Sequence, residues 1–396
     1  MKRIYLSILL ISILGLVSSD LFAGNWQRAG QAGASQLLIN PWARTSGWGD
    51  AGVACVTGYE SMHLNVAGLA FTKKLEVGFN NSQYLVGSGI QLNAAALAVR
   101  VGENSVLGAM VNVFNWGEIE KTSEAMPEGG FGTFKPGYAV IGVSYAREFS
   151  NSIFGGITVK MINEHIDNLK ASGFAIDAGI QYITGFGKDK AGNRNRDNIH
   201  FGITMKNVGT TMKYSGDGLT FVGFSPTGTL MSVENRSQEF ELPSLIKIGF
   251  SYHIRLAPKI DEEEEVVYSN HNLAIALNFT SNSFTKDQFH IGVEYSFMEY
   301  LFLRAGYTYE NGLYTTDNCS TWFSGPSVGI SLQAPLAKRD GAKSSSRLSD
   351  GSAPKKGYYG LNTTSVSTRP VLAVDYSYRF TNILGGVHTF GLRVTM

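Results

Sequence analysis

From Leu75 to the end of the chain, apolar and polar positions alternate with a period of two. Phe289, Ile291, Val293, Tyr295 and Phe297 alternate with His290, Gly292, Glu294 and Ser296. Leu301, Leu303, Ala305, Tyr307 and Tyr309 alternate with Arg304, Gly306 and Thr308, and Phe174, Ile176, Ala178, Ile180 and Tyr182 with Asp177, Gly179 and Gln181. In a strand, such a pattern sends the two sets to opposite faces. It predicts strands near 74–82, 90–101, 104–115, 136–148, 152–164, 172–183, 198–207, 243–254, 271–279, 287–297, 300–310, 325–334, 369–379 and 386–396. A soluble sandwich would alternate in the same way. Glycines and lone charges in the polar set, with Tyr and Phe near strand ends, favour a barrel with one face toward lipid. The expected fold class is all-β: a transmembrane antiparallel β-barrel of about 14 strands with an N-terminal plug segment.

An even strand count puts both termini on one side of the membrane, the periplasm. The tight connections Val101–Asn104, Phe149–Ser152 and Phe297–Tyr300 then fall on that side. The long connections 116–135, 208–242 and 311–324 fall outside the cell. Three periplasmic connections are long: 184–197, 255–270 with its run Asp261-Glu262-Glu263-Glu264-Glu265, and 335–368. The last is rich in Ser, Gly and Lys and is expected to be flexible, because it cannot bury enough apolar area to offset chain entropy. The charge runs read as solvated turns or as docking handles for periplasmic partners.

Residues 1–23 read as a secretory signal peptide, with Lys2 and Arg3, an apolar core from Ile4 to Val17, and Leu21-Phe22-Ala23 ahead of Gly24. That core is too short for a permanent membrane helix. No later stretch has about 18 consecutive apolar residues, so a membrane protein here has to be a barrel. The expected division is 1–23 signal peptide, 24–73 plug and 74–396 barrel, placed in the cell outer membrane. Ala34 to Lys74 is apolar and glycine-rich, neither strand nor long amphipathic helix. Gly47, Gly49, Gly52 and Gly68 allow close approach, and Leu37, Leu38, Val53, Leu64 and Leu69 supply burial. Arg44 and Asp50 are expected to pair with inward charges on the wall.

Composition narrows the function classes. The chain has 46 Gly and only 16% charged residues, and without Lys2, Arg3 and Asp20 it carries 31 basic and 31 acidic residues. That balance excludes nucleic acid as an expected partner. The two cysteines, Cys55 and Cys319, are too few for a disulfide scaffold. They could pair only if the N-terminal segment reaches the loop that holds Cys319.

Gly47-Trp48-Gly49-Asp50-Ala51-Gly52 spells a dinucleotide-binding fingerprint, but Asn40, Pro41 and Arg44 break the strand that must precede it. The histidines at 63, 165, 200, 253, 271, 290 and 388 are scattered, with no HExxH, CxxC, GxSxG or P-loop. Asp189 to Asn198 suggests a calcium loop, but Lys190, Arg194 and Arg196 would repel the ion. No catalytic, cofactor or metal site is expected, and so no enzyme. The inward charges Glu76, Lys160, Asp177, Lys206, Lys247, Glu294, Arg304, Asp375, Arg379 and Arg393 should pair with one another or with the plug. Their alternative use is a substrate path.

Leu37-Leu38-Ile39-Asn40-Pro41, Gly49-Asp50-Ala51-Gly52-Val53-Ala54 and Asn65-Val66-Ala67-Gly68-Leu69-Ala70 resemble the N-terminal signature of PorV/PorQ barrels, relatives of the FadL-type channels. Val66 stands where that signature has proline. Gly391, Val394 and Met396 resemble the C-terminal signal read by the barrel-assembly machinery. The resemblance implies a non-enzymatic role in type IX protein secretion at the outer membrane. Its partners would be lipid, secretion-system components and the C-terminal domains of exported proteins. The contact surface would be the loop with Met212, Tyr214, Phe221, Phe224 and Met231, a composition suited to adaptable apolar contact. The same loop could instead fold over its own barrel mouth. The rival reading is a FadL-like transporter of hydrophobic molecules, which needs a continuous apolar lining. The inward set reads mainly as Gly, Ser, Asn and charges.

Overall fold

The computed structural model describes residues 26–130, 132–188, 194–261, 266–313, 321, 323–336, 370–381 and 385–396. Among them, fourteen strands close into one antiparallel barrel in which each strand pairs with its sequence neighbours. They are β1 Leu75–Tyr84, β2 Ile90–Arg100, β3 Ser105–Asn115, β4 Gly137–Ser150, β5 Ile153–Ile166, β6 Leu169–Thr184 and β7 Ile199–Gly209. The rest are β8 Leu245–Leu256, β9 His271–Asn282, β10 Gln288–Phe297, β11 Leu301–Glu310, β12 Gly325–Pro335, β13 Val371–Arg379 and β14 Val387–Thr395. β14 pairs back onto β1, with Phe79 opposite Leu392. Closure leaves no strand edge unpaired, which is the condition for spanning lipid with strands.

The alternation has the expected consequence. Outward positions carry Val143, Ile180, Leu332, Phe174 and Val374, each more than half exposed. An apolar band of this extent calls for lipid around it. Tyr182, Phe201 and Phe250 stand side by side across β6, β7 and β8, an arc of aromatic girdle. No helix among the described residues is long and apolar enough to cross a membrane.

Inside the barrel, the chain from Ser35 to Phe71 runs as short helical turns. It enters at the end where the long loops lie, the mouth: Ala32 bridges to Glu241, and the Gly33 amide donates to the Glu241 carbonyl at 3.1 Å. It leaves at the opposite end, where the Lys74 amide donates to the Met396 carbonyl at 3.1 Å. The expectation that both termini share one side therefore holds for the barrel strands and fails for the first described residues. β1 starts at the far end, so a segment lying in the lumen has to descend through it. Residues 1–23, expected from the sequence to be a signal peptide, and most of the connection 335–368 lie outside the described residues, as do Glu262–Glu265.

The lumen has two unlike walls. On β2 to β4 most inward residues are apolar, Asn112 and Ser144 excepted; Ala94, Ala96, Ala98, Val106, Met110 and Ala146 pack with Trp42, Tyr59, Met62 and Leu69 of the segment. The expected polar lining thus fails on this side, because the run Ala94-Ala95-Ala96 hides alternation by giving both faces the same residue. On β10 to β12 the wall is instead bared. Gly292 lies opposite Gly306, and Gly329 is close by on the next strand. A Cβ on Gly306 would sit 2.4 Å from the Trp48 carbonyl carbon, so only glycine admits the segment's backbone here.

β6 and β7 are joined through a bulge. Ala178 pairs with Met205 and Ile176 with Val208, so Lys206 and Asn207 together face Asp177. Asn207 takes a positive φ of 58°, and both residues of the bulge point inward and are buried.

Candidate functional site at the barrel mouth

The connection between β7 and β8 divides into a base and a hairpin. In the base, Met212–Lys213 pairs with Glu239–Phe240, and Lys170 bridges to Ser215. Met212 is buried against Gly173 of β6. The Tyr214 hydroxyl donates to Glu164 Oε2 at 2.5 Å, and its ring lies 5.7 Å from that of Phe240. Burial first, and then the Glu164 carboxylate, push the Tyr214 hydroxyl well above the ordinary tyrosine range, so it remains a donor.

Beyond the base, Thr220–Phe224 pairs with Leu230–Glu234 across the turn Ser225–Thr229. The register puts Phe221, Met231 and Val233 on one face and Val222, Phe224 and Leu230 on the other. All six are exposed, Phe224 by 77% and Val222 by 66%. Among the described residues the ribbon thus presents exposed apolar side chains on both faces. Of the five loop residues singled out in the sequence, Met212 and Tyr214 close over the mouth, while Phe221, Phe224 and Met231 project from it. Val222, Leu230 and Val233 belong with the second group. Their signal was a pair of short apolar runs, Phe221-Val222-Gly223-Phe224 and Leu230-Met231-Ser232-Val233, on either side of Ser225-Pro226-Thr227-Gly228, a hairpin pattern.

Beneath the base, the mouth is lined by Tyr84, Phe114, Tyr138, Val140 and Ile162, which pack around Leu37, Ile39, Met212 and Tyr214. The space left beside Leu37, Ile39, His63 and Lys160 is about 20 Å³, room for roughly one water. A larger hollow, about 440 Å³, lies on the open rim between Leu85–Ser88 and Gly385–His388.

Lower down, polar contacts tie the segment to the wall. Asp50 Oδ1 is 3.1 Å from Arg379 Nη2, and His290 Nδ1 meets the Gly49 carbonyl at 2.8 Å. Asn65 caps the turn Val66–Phe71 by accepting from the Ala67 amide. Its own amide donates to the carbonyls of Val53 and Ile180. Val66 occupies the first position of that turn, where proline is also tolerated, so the substitution keeps the local geometry. Arg44 departs from expectation: it pairs with Glu60 of the same segment at 3.4 Å and donates to the Thr57 carbonyl. Glu60, sixteen residues on, is fully buried and needs a counter-charge.

Wall charges pair as expected at Lys160–Asp177 (2.7 Å), Arg304–Glu294 (2.5 Å) and Arg393–Asp375 (3.7 Å). The fingerprint-like Gly47 to Gly52 lies in this buried stretch, at the end of the helix Ala43–Gly47, and not in a strand–turn–helix unit. Among the described residues no group of three or more His, Cys, Asp or Glu is placed to hold a metal. Cys55 packs near Trp48, Ala51, Ala274 and Ala276, and Cys319 lies outside the described residues.

A family model described as type IX secretion system protein PorV matches residues 23–254, more than half of the chain. The chain belongs to the PorV family. No curated protein matches it. Among solved structures it is similar to the Ralstonia pickettii toluene transporter TbuX, at 11% identity and a TM-score of 0.46 over 90% of this chain and 97% of that one. The Pseudomonas putida toluene transporter TodX gives 12% and 0.45 over 90% and 97%. A Pseudomonas aeruginosa FadL homologue gives 12% and 0.45 over 89% and 97%. At that level the barrel architecture of this PorV-family chain rests on its own strand pairing.

Proposed function

We propose that this PorV-family protein works without catalysis in type IX secretion, as an outer-membrane barrel that binds exported proteins at its mouth. The family match carries this reading. The hairpin Thr220–Glu234 is the contact surface we assign to it. It offers large apolar side chains on both faces, stands clear of the barrel, and is held by a base whose Met212 and Tyr214 are locked down. Exported proteins, through their C-terminal domains, and secretion-system components are the proposed partners. Residues 24–73 act as a plug, residues 1–23 as a removed signal, and the mouth faces the cell exterior.

A transporter of hydrophobic molecules is the second reading, favoured by the apolar ring of Tyr84, Phe114, Tyr138 and Val140. That ring is occupied by Leu37 and Ile39 of the chain itself, which supports the binding role. A photo-crosslinking residue at Phe224 in living cells tests the proposal. Exported proteins or secretion components should be captured there, and the variant F221S/F224S/L230S should lose both capture and secretion. Normal secretion by that triple variant, present at normal level in the outer membrane, would overturn the assignment.

A further inference from the structure

The outer face of the barrel changes character where β13, β14, β1, β2 and β3 run up to the mouth. Paired positions form rows across these strands. Val374, Leu392, Phe79, Ala95 and Val111 make an apolar row, with Phe79 exposed by 51%. Two residues nearer the mouth on each strand, and so on the same face, the row is Tyr376, Phe390, Asn81, Asn93 and Val113. The next is Tyr378, His388, Gln83, Gln91 and Asn115. Neither of these two rows holds Lys, Arg, Asp or Glu. At the mouth end of β9 to β11 the outer face instead carries Phe279, Phe289 and Tyr309 in one row, an ordinary aromatic girdle. Over β1 and β2, carboxamides stand where β9 to β11 carry rings.

The carboxamides are only partly committed to one another. Asn81 donates to Asn93 Oδ1 at 2.8 Å and to Gln91 Oε1 at 3.2 Å. Among the described residues this leaves the amino groups of Asn93 and Gln91, and the whole Gln83 carboxamide, without a bonding partner. Hydrocarbon would leave those groups unsatisfied at a cost, so their level is that of the lipid headgroups. Beside them, His388 Nδ1 and the Tyr376 hydroxyl lie 2.9 Å apart, and the Tyr378 hydroxyl donates to the Gly385 carbonyl at 3.1 Å. The rim hollow of about 440 Å³ adjoins the same patch, with His388 common to both. Carboxamides give and accept hydrogen bonds without net charge, which suits hydroxyl groups. A phosphate would call for Lys or Arg. Tyr376 and Tyr378 add flat rings with polar tips.

We propose that the outer face of β13, β14, β1 and β2 binds the sugar headgroup of a neutral outer-leaflet glycolipid. Asn81, Gln83, Gln91 and Asn93 bond its hydroxyls, and the sugar sits against the rim hollow beside His388. Its acyl chains lie along Phe79, Leu392 and Val374. The inference rests on the mouth facing the cell exterior and is independent of what the hairpin binds.

The test uses the full chain in nanodiscs of phosphatidylethanolamine and diglucosyl diacylglycerol with matched acyl chains. Native mass spectrometry then reads which lipid the released protein retains. The glycolipid should be favoured by about five-fold, the weight of one net hydrogen bond. N81L/Q83L/N93L, confined to the outer face, should lose that preference and still migrate as a heat-modifiable folded barrel. A diazirine carried on the sugar should label the unaltered protein within 81–93 or 376–388, a result that stands even if the variant fails to fold. Equal retention of the two lipids, an undiminished preference in the folded variant, or labelling elsewhere would each overturn the proposal. So would a photo-crosslinking residue at Gln83 that captures a protein in living cells in place of glycolipid.

Discussion

Asp50 and Arg379 come from opposite ends of the chain, and their side chains meet at 3.1 Å inside the barrel, both nearly excluded from solvent. The contact joins the N-terminal segment to β13, and Arg379 also donates to the Ser46 carbonyl at 3.4 Å. Removing one partner strands the other charge. Asp50→Asn should therefore lower stability by about 3–5 kcal/mol, read as an earlier loss of the fast-migrating folded form in urea. Asp50→Asn with Arg379→Met should recover part of that loss. An unchanged midpoint for Asp50→Asn would show that the contact carries no weight.

The same pair sets a pH dependence. Burial opposes ionisation of Asp50, but Arg379, Lys247 and His290 outweigh it and hold the carboxyl well below the usual range. A folded value below the unfolded one of about 3.9 contributes stability above that pH, and the contribution is lost as pH falls through the folded value. The stability gap between wild type and Asp50→Asn should stay constant from neutral pH down to about pH 5 and narrow below about pH 4. Comparing urea midpoints at stepped pH checks this.

Gly306 offers a steric test of how closely the segment lies against the wall. Its Cβ position is 2.4 Å from the Trp48 carbonyl carbon and 2.5 Å from the Gly49 nitrogen, both backbone atoms. Gly306→Val should displace Gly47–Asp50, cost at least about 1–3 kcal/mol, and expose the segment to added protease in detergent. Ala305→Val, which points outward on the same strand, should do neither.

The two halves of the mouth loop should separate by mutation. Tyr214→Phe removes a hydrogen bond to a charged acceptor and should cost about 1.5–3 kcal/mol while leaving the hairpin presented. Phe224→Ser touches an exposed side chain and should leave stability within about 0.5 kcal/mol while weakening partner capture. Urea midpoints and crosslink yields for the two variants should move in opposite columns.

The barrel strands were legible in the sequence because a lipid-facing wall enforces the two-residue period, and β10 and β11 show it at almost every position. The N-terminal signature was legible through Asn65 and the glycines Gly49 and Gly68, whose residue types are dictated by a cap, a positive φ and close approach. What sequence could not reveal were relationships across the lumen. Arg44 prefers Glu60, sixteen residues away, to any wall charge. Ala94 to Ala98 carries too little polarity contrast to mark which face is inward. Lys206 and Asn207 both turn inward because of a bulge, which period-two reading would place on opposite faces. At the mouth, Met212 and Phe224 have similar hydrophobicity, and only their pairing partners decide that one is buried and the other displayed.

The central claim is that the N-terminal segment shuts the lumen, so that the protein acts through its mouth surface and not as a conduit. Planar-bilayer recording of the purified full chain beside a variant lacking residues 34–70 tests it most directly. The account predicts a silent wild type and a steady conductance in the deletion variant, because a fourteen-stranded barrel is too wide for wall side chains alone to fill. Conductance by the intact protein, or its admission of hydrophobic molecules into liposomes, would contradict the account and favour transport.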